Sequence, residues 1–338
     1  MLKNNIIISL VILTSFSCSN PKKHTDSYII LSGETMGSTY IIKYKGEKNY
    51  QQEIDNELKR INEELSTYIK TSTISRFNFS DSGIIINNTD FWLNLKKAYE
   101  IYIISEGLYD PTVMPLVNYW GFGYTGHKKV DKIDTAKIVE ILQVVGMNRI
   151  EIIPKGINNY FIKKPDKRFQ LDFSSLAAGY GADKIASLLE DKGINDYMVD
   201  ITGEIVSKGL SPTNKKWVIG INLPSEEASI DDYLLTVEIS DKSIATSGNY
   251  RNYFGEGKER YSHTINPKTG FPERSNLLSA TILAADCMTA DALATACMVS
   301  GLEKSKKMIS GLKNVEACFI WVDEKNEMQV YITPGFKK

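Results

Sequence analysis

The second half of this chain is a succession of short β-branched and aromatic runs divided by turn residues, and that order constrains the fold most. Residues 197–201, 205–208, 217–222, 233–239, 279–284, 317–322 and 328–332 each have the length and composition of a strand. Helical patterns interrupt them only at 287–299 and 303–309. A parallel sheet needs a crossover helix between successive strands. The order therefore predicts an α+β fold, with mixed or antiparallel sheets and packed helices.

The first half supplies the helices. Ile54, Leu58, Ile61 and Leu65 recur at spacings of four, three and four, which is one face of an amphipathic helix. Residues 91–105 read as a second helix stopped by Gly107, and Asp134 caps a third that runs to Gly146. A fourth spans 178–192 and closes at Gly193. Residues 28–31 and 40–44 read as strands flanking a glycine-containing segment, 32–39. No repeat, low-complexity tract or strong linker divides the chain, so 28–336 is expected to form one catalytic unit.

The N-terminus gives an address. Lys3 precedes an apolar run, Ile6 to Phe16, that is too short for a permanent span, which takes about 20 residues. Residues 1–17 read as a signal peptide and Cys18 as the lipidated residue of a bacterial lipobox, although Ser15 stands where such boxes carry Leu. Residues 18–27 would be a tether. The expectation is an exported, membrane-anchored lipoprotein facing the periplasm or the cell exterior. Cys287, Cys297 and Cys318 remain after processing, with no CxxC pair, and read as small buried hydrophobes. A formal charge of −1 without clustered Lys and Arg excludes nucleic acid as a partner.

Several segments carry candidate chemistry. Gly121 to Gly126 matches G-x-G-x-x-G, but polar residues follow where a phosphate-binding helix should open, so it reads as a surface turn. Asp291 and Thr295 are four apart on a predicted helix and present a carboxylate and a hydroxyl to one point. Hard oxygens of that kind suit magnesium. Taken alone, such a pair is more often a cap or a hydrogen-bond partner. His263 lies beside the turn Asn266-Pro267-Lys268-Thr269-Gly270, which places it at a strand end. Taken alone, a single histidine is more often structural than catalytic.

Thr35-Met36-Gly37-Ser38-Thr39, Leu65-Ser66-Thr67-Tyr68, Tyr109-Asp110-Pro111-Thr112-Val113, Leu171-Asp172-Phe173-Ser174-Ser175, Ser262-His263-Thr264-Ile265-Asn266-Pro267 and Ala290-Asp291-Ala292-Leu293-Ala294-Thr295 occur in one order. In this the chain resembles the ApbE family of FAD:protein FMN transferases, many of them exported bacterial lipoproteins, over roughly 32–332. The resemblance implies a T-fold-like catalytic unit with FAD as substrate. Met36 and Tyr68 would contact the flavin, Tyr68 by stacking. Leu108, Tyr109, Asp110, Asp172 and Ile265 would line the FAD site. Mg2+ would be held by Asp291, Thr295 and an oxygen of Ser175, ahead of the 178–192 helix. His263 is the candidate general base, or a residue that positions the attacking hydroxyl.

Two departures stand out. Ala178 replaces a lysine expected to reach FAD, and Asn266 stands where the family usually has Asp. The resemblance further implies acceptor flavoprotein subunits that carry a Thr/Ser flavinylation motif. The Ala178 exchange keeps open an Mg-dependent FAD pyrophosphatase releasing FMN and AMP; a non-catalytic FAD-binding lipoprotein is a further alternative, against which His263, Asp291 and Thr295 count.

Overall fold

The computed structural model describes residues 27–87, 89–126, 130, 132–225, 227–229, 231–249, 253–254 and 261–336, with no side chains at 253, 254, 261 and 262. The expected signal segment, Cys18 and the tether up to residue 26 lie outside the described residues.

The chain opens with β1 (Tyr28–Thr35), β2 (Ser38–Lys45), α1 (Gln51–Leu65), α2 (Thr73–Phe79), β3 (Gly83–Ile86) and α3 (Thr89–Ile104). Next come α4 (Met114–Tyr119), α5 (Thr135–Leu142), β4 (Glu151–Gly156), β5 (Asn159–Lys163) and α6 (Ser174–Asp191). The second half runs β6 (Tyr197–Ile201), β7 (Glu204–Lys208), β8 (Trp217–Asn222), β9 (Tyr233–Ile239) and β10 (Lys242–Gly248). It ends with β11 (Tyr253–Phe254), β12 (Tyr261–Ser262), β13 (Leu277–Ala284), α7 (Cys287–Ser300), α8 (Leu302–Ser310), β14 (Glu316–Val322) and β15 (Met328–Ile332).

An eight-stranded sheet in the order β1-β2-β6-β7-β10-β13-β14-β15 forms the frame, and its neighbours pair antiparallel. Strand alternation divides its residues between two cores. Val199, Val206, Ile282 and Phe319 face the helices. Met198, Ile205, Leu283 and Ile320 face the β8–β9 ribbon, which buries Trp217, Ile219 and Val237 against them. The α+β expectation holds. Cys287, Cys297 and Cys318 are buried thiols, as expected.

Several boundaries depart from the sequence reading. Residues 32–39 are strand almost throughout, because β1 and β2 meet in a two-residue turn with Met36 at φ 51 and Gly37 at φ 76. Such left-handed turns match the twist of a hairpin. The helix capped by Asp134 stops at Leu142, four residues before Gly146, which instead precedes a short 3-10 turn at φ 138. Most consequentially, α6 begins at Ser174. Serines disfavour helix interiors, but here Asp172 Oδ1 accepts from the Ser174 amide at 2.9 Å and opens the helix early. Ser175 therefore belongs to the first turn of α6. Gly121 and Gly123 are buried, so the glycine-rich turn is not a surface one; among the described residues no helix follows until Thr135.

Two contacts hold α6. Asp90 on α3, 3% exposed, accepts from Arg60 of α1 and from the Tyr180 hydroxyl of α6, joining three helices. On the other side α6 meets α7 backbone to backbone. A Cβ on Gly179 would lie 2.5 Å from the Cys287 carbonyl oxygen and 2.9 Å from Met288 Cα. Asp183, one turn later, accepts from the Cys287 and Met288 amides at 2.8 and 2.9 Å, satisfying two orphan donors at the start of α7.

Helix propensity favours alanine over glycine by roughly 1 kcal/mol. Gly179→Ala nevertheless is expected to lose about 1–3 kcal/mol in urea unfolding, because backbone atoms cannot yield as a side chain can. In Gly181→Ala the nearest atom is the flexible Met36 Cε at 3.3 Å, so stability should be kept or raised. Equal effects from the two would contradict this packing.

Candidate active site

The first turn of α6, the middle of α7, the end of β10, the start of β7 and the segment after α3 converge on one cavity of about 710 Å³. Tyr68, Leu108, Tyr109, Asp110, Asp172, Ser175, His263, Ile265, Asp291 and Thr295 all line it. Met36 and Ala178 line a second hollow of about 970 Å³, which shares Thr67, Tyr68, Asp172 and Ser174 with the first. Tyr68 thus stands between the two, and the residue is 67% exposed.

The cavity floor is electrostatically unusual. Asp291 is 6% exposed, and its Oδ2 accepts from the Gly179 amide at 3.1 Å. In a regular helix that amide would be aimed at the Ser175 carbonyl. Burial pushes the Asp291 carboxyl up to about 7, even against the Gly179 hydrogen bond. Glu204, at the start of β7, is pushed well above the usual carboxylate range by burial and then by the Asp291 charge. Thr295 Oγ1 lies 3.2 Å from Ser247 Oγ, and Ser175 Oγ donates to the Tyr109 hydroxyl at 3.0 Å, keeping its lone pairs open. Burial raises the Tyr109 pKa, so its ring remains a neutral phenol.

Would these residues suit a cation? Asp291 Oδ1 accepts no hydrogen bond from the described residues, although the side chain is buried. A buried, unpaired anion is costly. Thr295 and Ser175 line the same cavity and offer hydroxyl and carbonyl oxygens, hard and uncharged. Among the described residues no group of three or more His, Cys, Asp and Glu could hold a metal, so a zinc-type set is missing there. One carboxylate with neutral oxygens fits magnesium.

Other predicted residues prove to be partly architectural. Asp110 Oδ1 accepts from the Thr112 amide and hydroxyl at 2.9 and 2.6 Å, and its Oδ2 from the Met147 amide at 3.1 Å. Its carboxylate shapes the wall. His263 follows β12, at a strand end, with the Phe122 ring edge-on at 6.4 Å between centroids. Phe122 and Gly123 bring the glycine-rich turn to the cavity. Asn266 Nδ2 donates to Glu273 at 2.9 Å; an Asp there would set two carboxylates against each other. Glu204, Ser247 and Met114 were not among the predicted site residues, and only the small polar end of β10 hinted at Ser247.

Asp172 owes its position to Asn78. Asn78 Nδ2 donates to the Leu171 carbonyl at 2.8 Å and Oδ1 accepts from the Leu171 amide at 2.7 Å. The Asp172 amide then donates to the Pro111 carbonyl at 2.7 Å. Lys164 secures the same corner, its Nζ donating to the carbonyls of Phe77, Asn78, Ser80 and Lys167.

Comparison with known proteins follows the same line. The ApbE family model matches residues 36–319. A Vibrio cholerae protein named FAD:protein FMN transferase is 37% identical over 297 residues, covering 86% of this chain and 85% of that protein. A Haemophilus influenzae protein of the same name is 35% identical over 300 residues, covering 85% and 84%. The solved flavin transferase ApbE from Vibrio cholerae superposes with a TM-score of 0.82 at 34% identity, over 92% of this chain and 98% of that one. The apo form of the Pseudomonas stutzeri flavinyl transferase gives 0.81 at 30% identity, over 92% and 96%.

Asn78→Ala is expected to cost about 2–4 kcal/mol in urea unfolding, since it strands a buried amide and a buried carbonyl together. A loss below about 0.5 kcal/mol would remove Asn78 from the support of Asp172.

Proposed function

The chain belongs to the ApbE family, and we propose that it moves FMN from FAD to a Thr or Ser hydroxyl of an acceptor flavoprotein, releasing AMP. The observation that carries the reading is the cavity in which Ser175, Asp291, Thr295 and His263 meet beside the hollow bearing Met36 and Tyr68. Two adjoining spaces suit a dinucleotide, which has two ring systems joined by a charged linker.

Each group has a task. Tyr68 offers an exposed ring face for stacking and Met36 a polarisable partner across the second hollow. Leu108, Tyr109, Asp172 and Ile265 wall the dinucleotide in and exclude water. Asp291, Thr295 and an oxygen of Ser175 would hold Mg2+, which when bound neutralises the pyrophosphate and stabilises charge developing on its oxygens. His263 accepts the proton of the acceptor hydroxyl or orients it. The hydroxyl oxygen bonds to the FMN-side phosphorus, the bond to the bridging oxygen breaks, and that oxygen leaves with AMP. Residues 1–27 support an exported, lipid-anchored placement, with Cys18 as the modified residue.

Ala178 favours a second outcome at the same site. It lines the second hollow where the family resemblance expects a lysine, so this chain brings no cation there from α6. Water could then compete with the acceptor hydroxyl and yield free FMN and AMP.

Incubation with FAD, Mg2+ and an acceptor domain separates the readings by mass spectrometry. Transfer predicts an FMN-sized mass gain on the acceptor with AMP; hydrolysis predicts AMP with free FMN; neither product refutes both. EDTA should stop turnover and added Mg2+ restore it. Asp291→Asn keeps an oxygen for the Gly179 amide and should lower turnover about a hundredfold or more without unfolding the protein. Unchanged turnover would refute the metal assignment. Tyr68→Ala should leave stability within about 0.5 kcal/mol yet weaken FAD binding about tenfold. Unaltered FAD affinity in a titration would exclude the stacking role.

A further inference from the structure

Glu204 is the feature of the cavity that the proposed chemistry leaves unused. It lines the same space as Asp291, Thr295 and Ser175. The β6–β7 hairpin delivers it: Ile201 pairs with Glu204, and the turn between them holds Thr202 at φ 59 and Gly203 at φ 106. A β-branched residue at positive φ is a true outlier. The turn is closed by Asp200 Oδ1, which accepts from the Gly203 amide at 2.9 Å. Thr202 Oγ1 in turn donates to Glu204 Oε2 at 2.6 Å.

One carboxylate oxygen is thereby satisfied, and the other receives no hydrogen bond from another described residue. Among the described residues no Lys, Arg or His forms a salt bridge with Glu204 or Asp291. Buried Asp291 and partly buried Glu204 therefore line one cavity, each with an oxygen left over and neither with a basic partner among the described residues. Thr295, Ser247 and Ser175 line the same cavity with hydroxyls that bring no charge.

We propose that Glu204 is the second anionic residue of the cation site, so that a divalent ion there meets the charge of two carboxylates. This rests on the metal reading above and extends it from residues on helices to a residue on the sheet. An ion bound by α6 and α7 would then also be tied to the β6–β7 hairpin. Whether the contact is direct or through water, loss of the Glu204 charge weakens binding while the fold is kept.

The test is calorimetric titration of Mn2+ into the full chain, free of metal and of FAD, with thermal melts run in parallel. Wild type is compared with Glu204→Gln, which retains an acceptor for Thr202, and with Asp291→Asn. The expectation for Glu204→Gln is Mn2+ affinity lower by about tenfold or more, with a metal-free melting temperature that is unchanged or higher. Glu204→Gln affinity within about twofold of wild type, with Asp291→Asn weakened, would overturn the inference and leave the metal reading standing. A lowered metal-free melting temperature with Mn2+ affinity kept would also overturn it, by making Glu204 structural. If wild type takes up no Mn2+, or neither variant weakens it, the metal reading itself fails and the inference with it.

Discussion

The contact between Gly179 and the start of α7 governs the rest of the site. Two helices can approach this closely only where one presents a bare backbone, and Gly179 does so against the Cys287 carbonyl. The approach frees the Gly179 amide to reach across to Asp291 instead of serving its own helix alone. It also explains the small side chains of α7, where Ala290, Ala292, Ala294 and Ala296 are all fully buried. Bulkier residues would push α7 away from the sheet and carry Asp291 and Thr295 out of reach of Ser175. Asp183 then fixes the axial position of α7 by taking its first two amides.

A second theme is the cost of burying acid. Asp183, Glu204 and Asp291 all have raised pKa values, with burial the first cause in each. Asp183 answers that cost with two amides, one on each oxygen, whereas Asp291 receives one amide and Glu204 the Thr202 hydroxyl, and these last two line the cavity. Folding alone gains little from such an arrangement, since apolar residues of similar volume would serve the core as well or better. On the proposed reading, a divalent cation and a pyrophosphate would offset that charge when the substrate arrives.

Much of the frame was legible from local pattern. The strands at 197–201, 217–222, 233–239 and 328–332 have the predicted boundaries, because each is a run of β-branched and aromatic residues between clear turn signals. What escaped depends on partners distant in sequence. Ser174 and Ser175 are poor helix formers, and only the Asp172 side chain and the packing of α7 start α6 there. The β3–β5–β4 sheet and α2 were missed because Gly83–Ile86 is four residues long and α2 seven. The site residues found from motifs converge, apart from Met36 and Ala178, which belong to the neighbouring hollow. Glu204 carried no motif; its role arises from a turn that no propensity predicts, with Thr202 at positive φ. Gly121 to Gly126 was rightly denied a phosphate-loop reading, yet burial of its first two glycines shows that a decoy motif can still wall an active site.

The central claim is that α6 and α7 together build a divalent-cation site at the junction of two substrate spaces. Anomalous diffraction from crystals grown with Mn2+ and FAD addresses it most directly. The account predicts an anomalous peak in the cavity bonded to oxygens of Asp291 and Thr295, with an oxygen of Ser175 completing the protein ligands. A peak bound to other side chains, or FAD lying in the cavity with no peak beside Asp291, would contradict it.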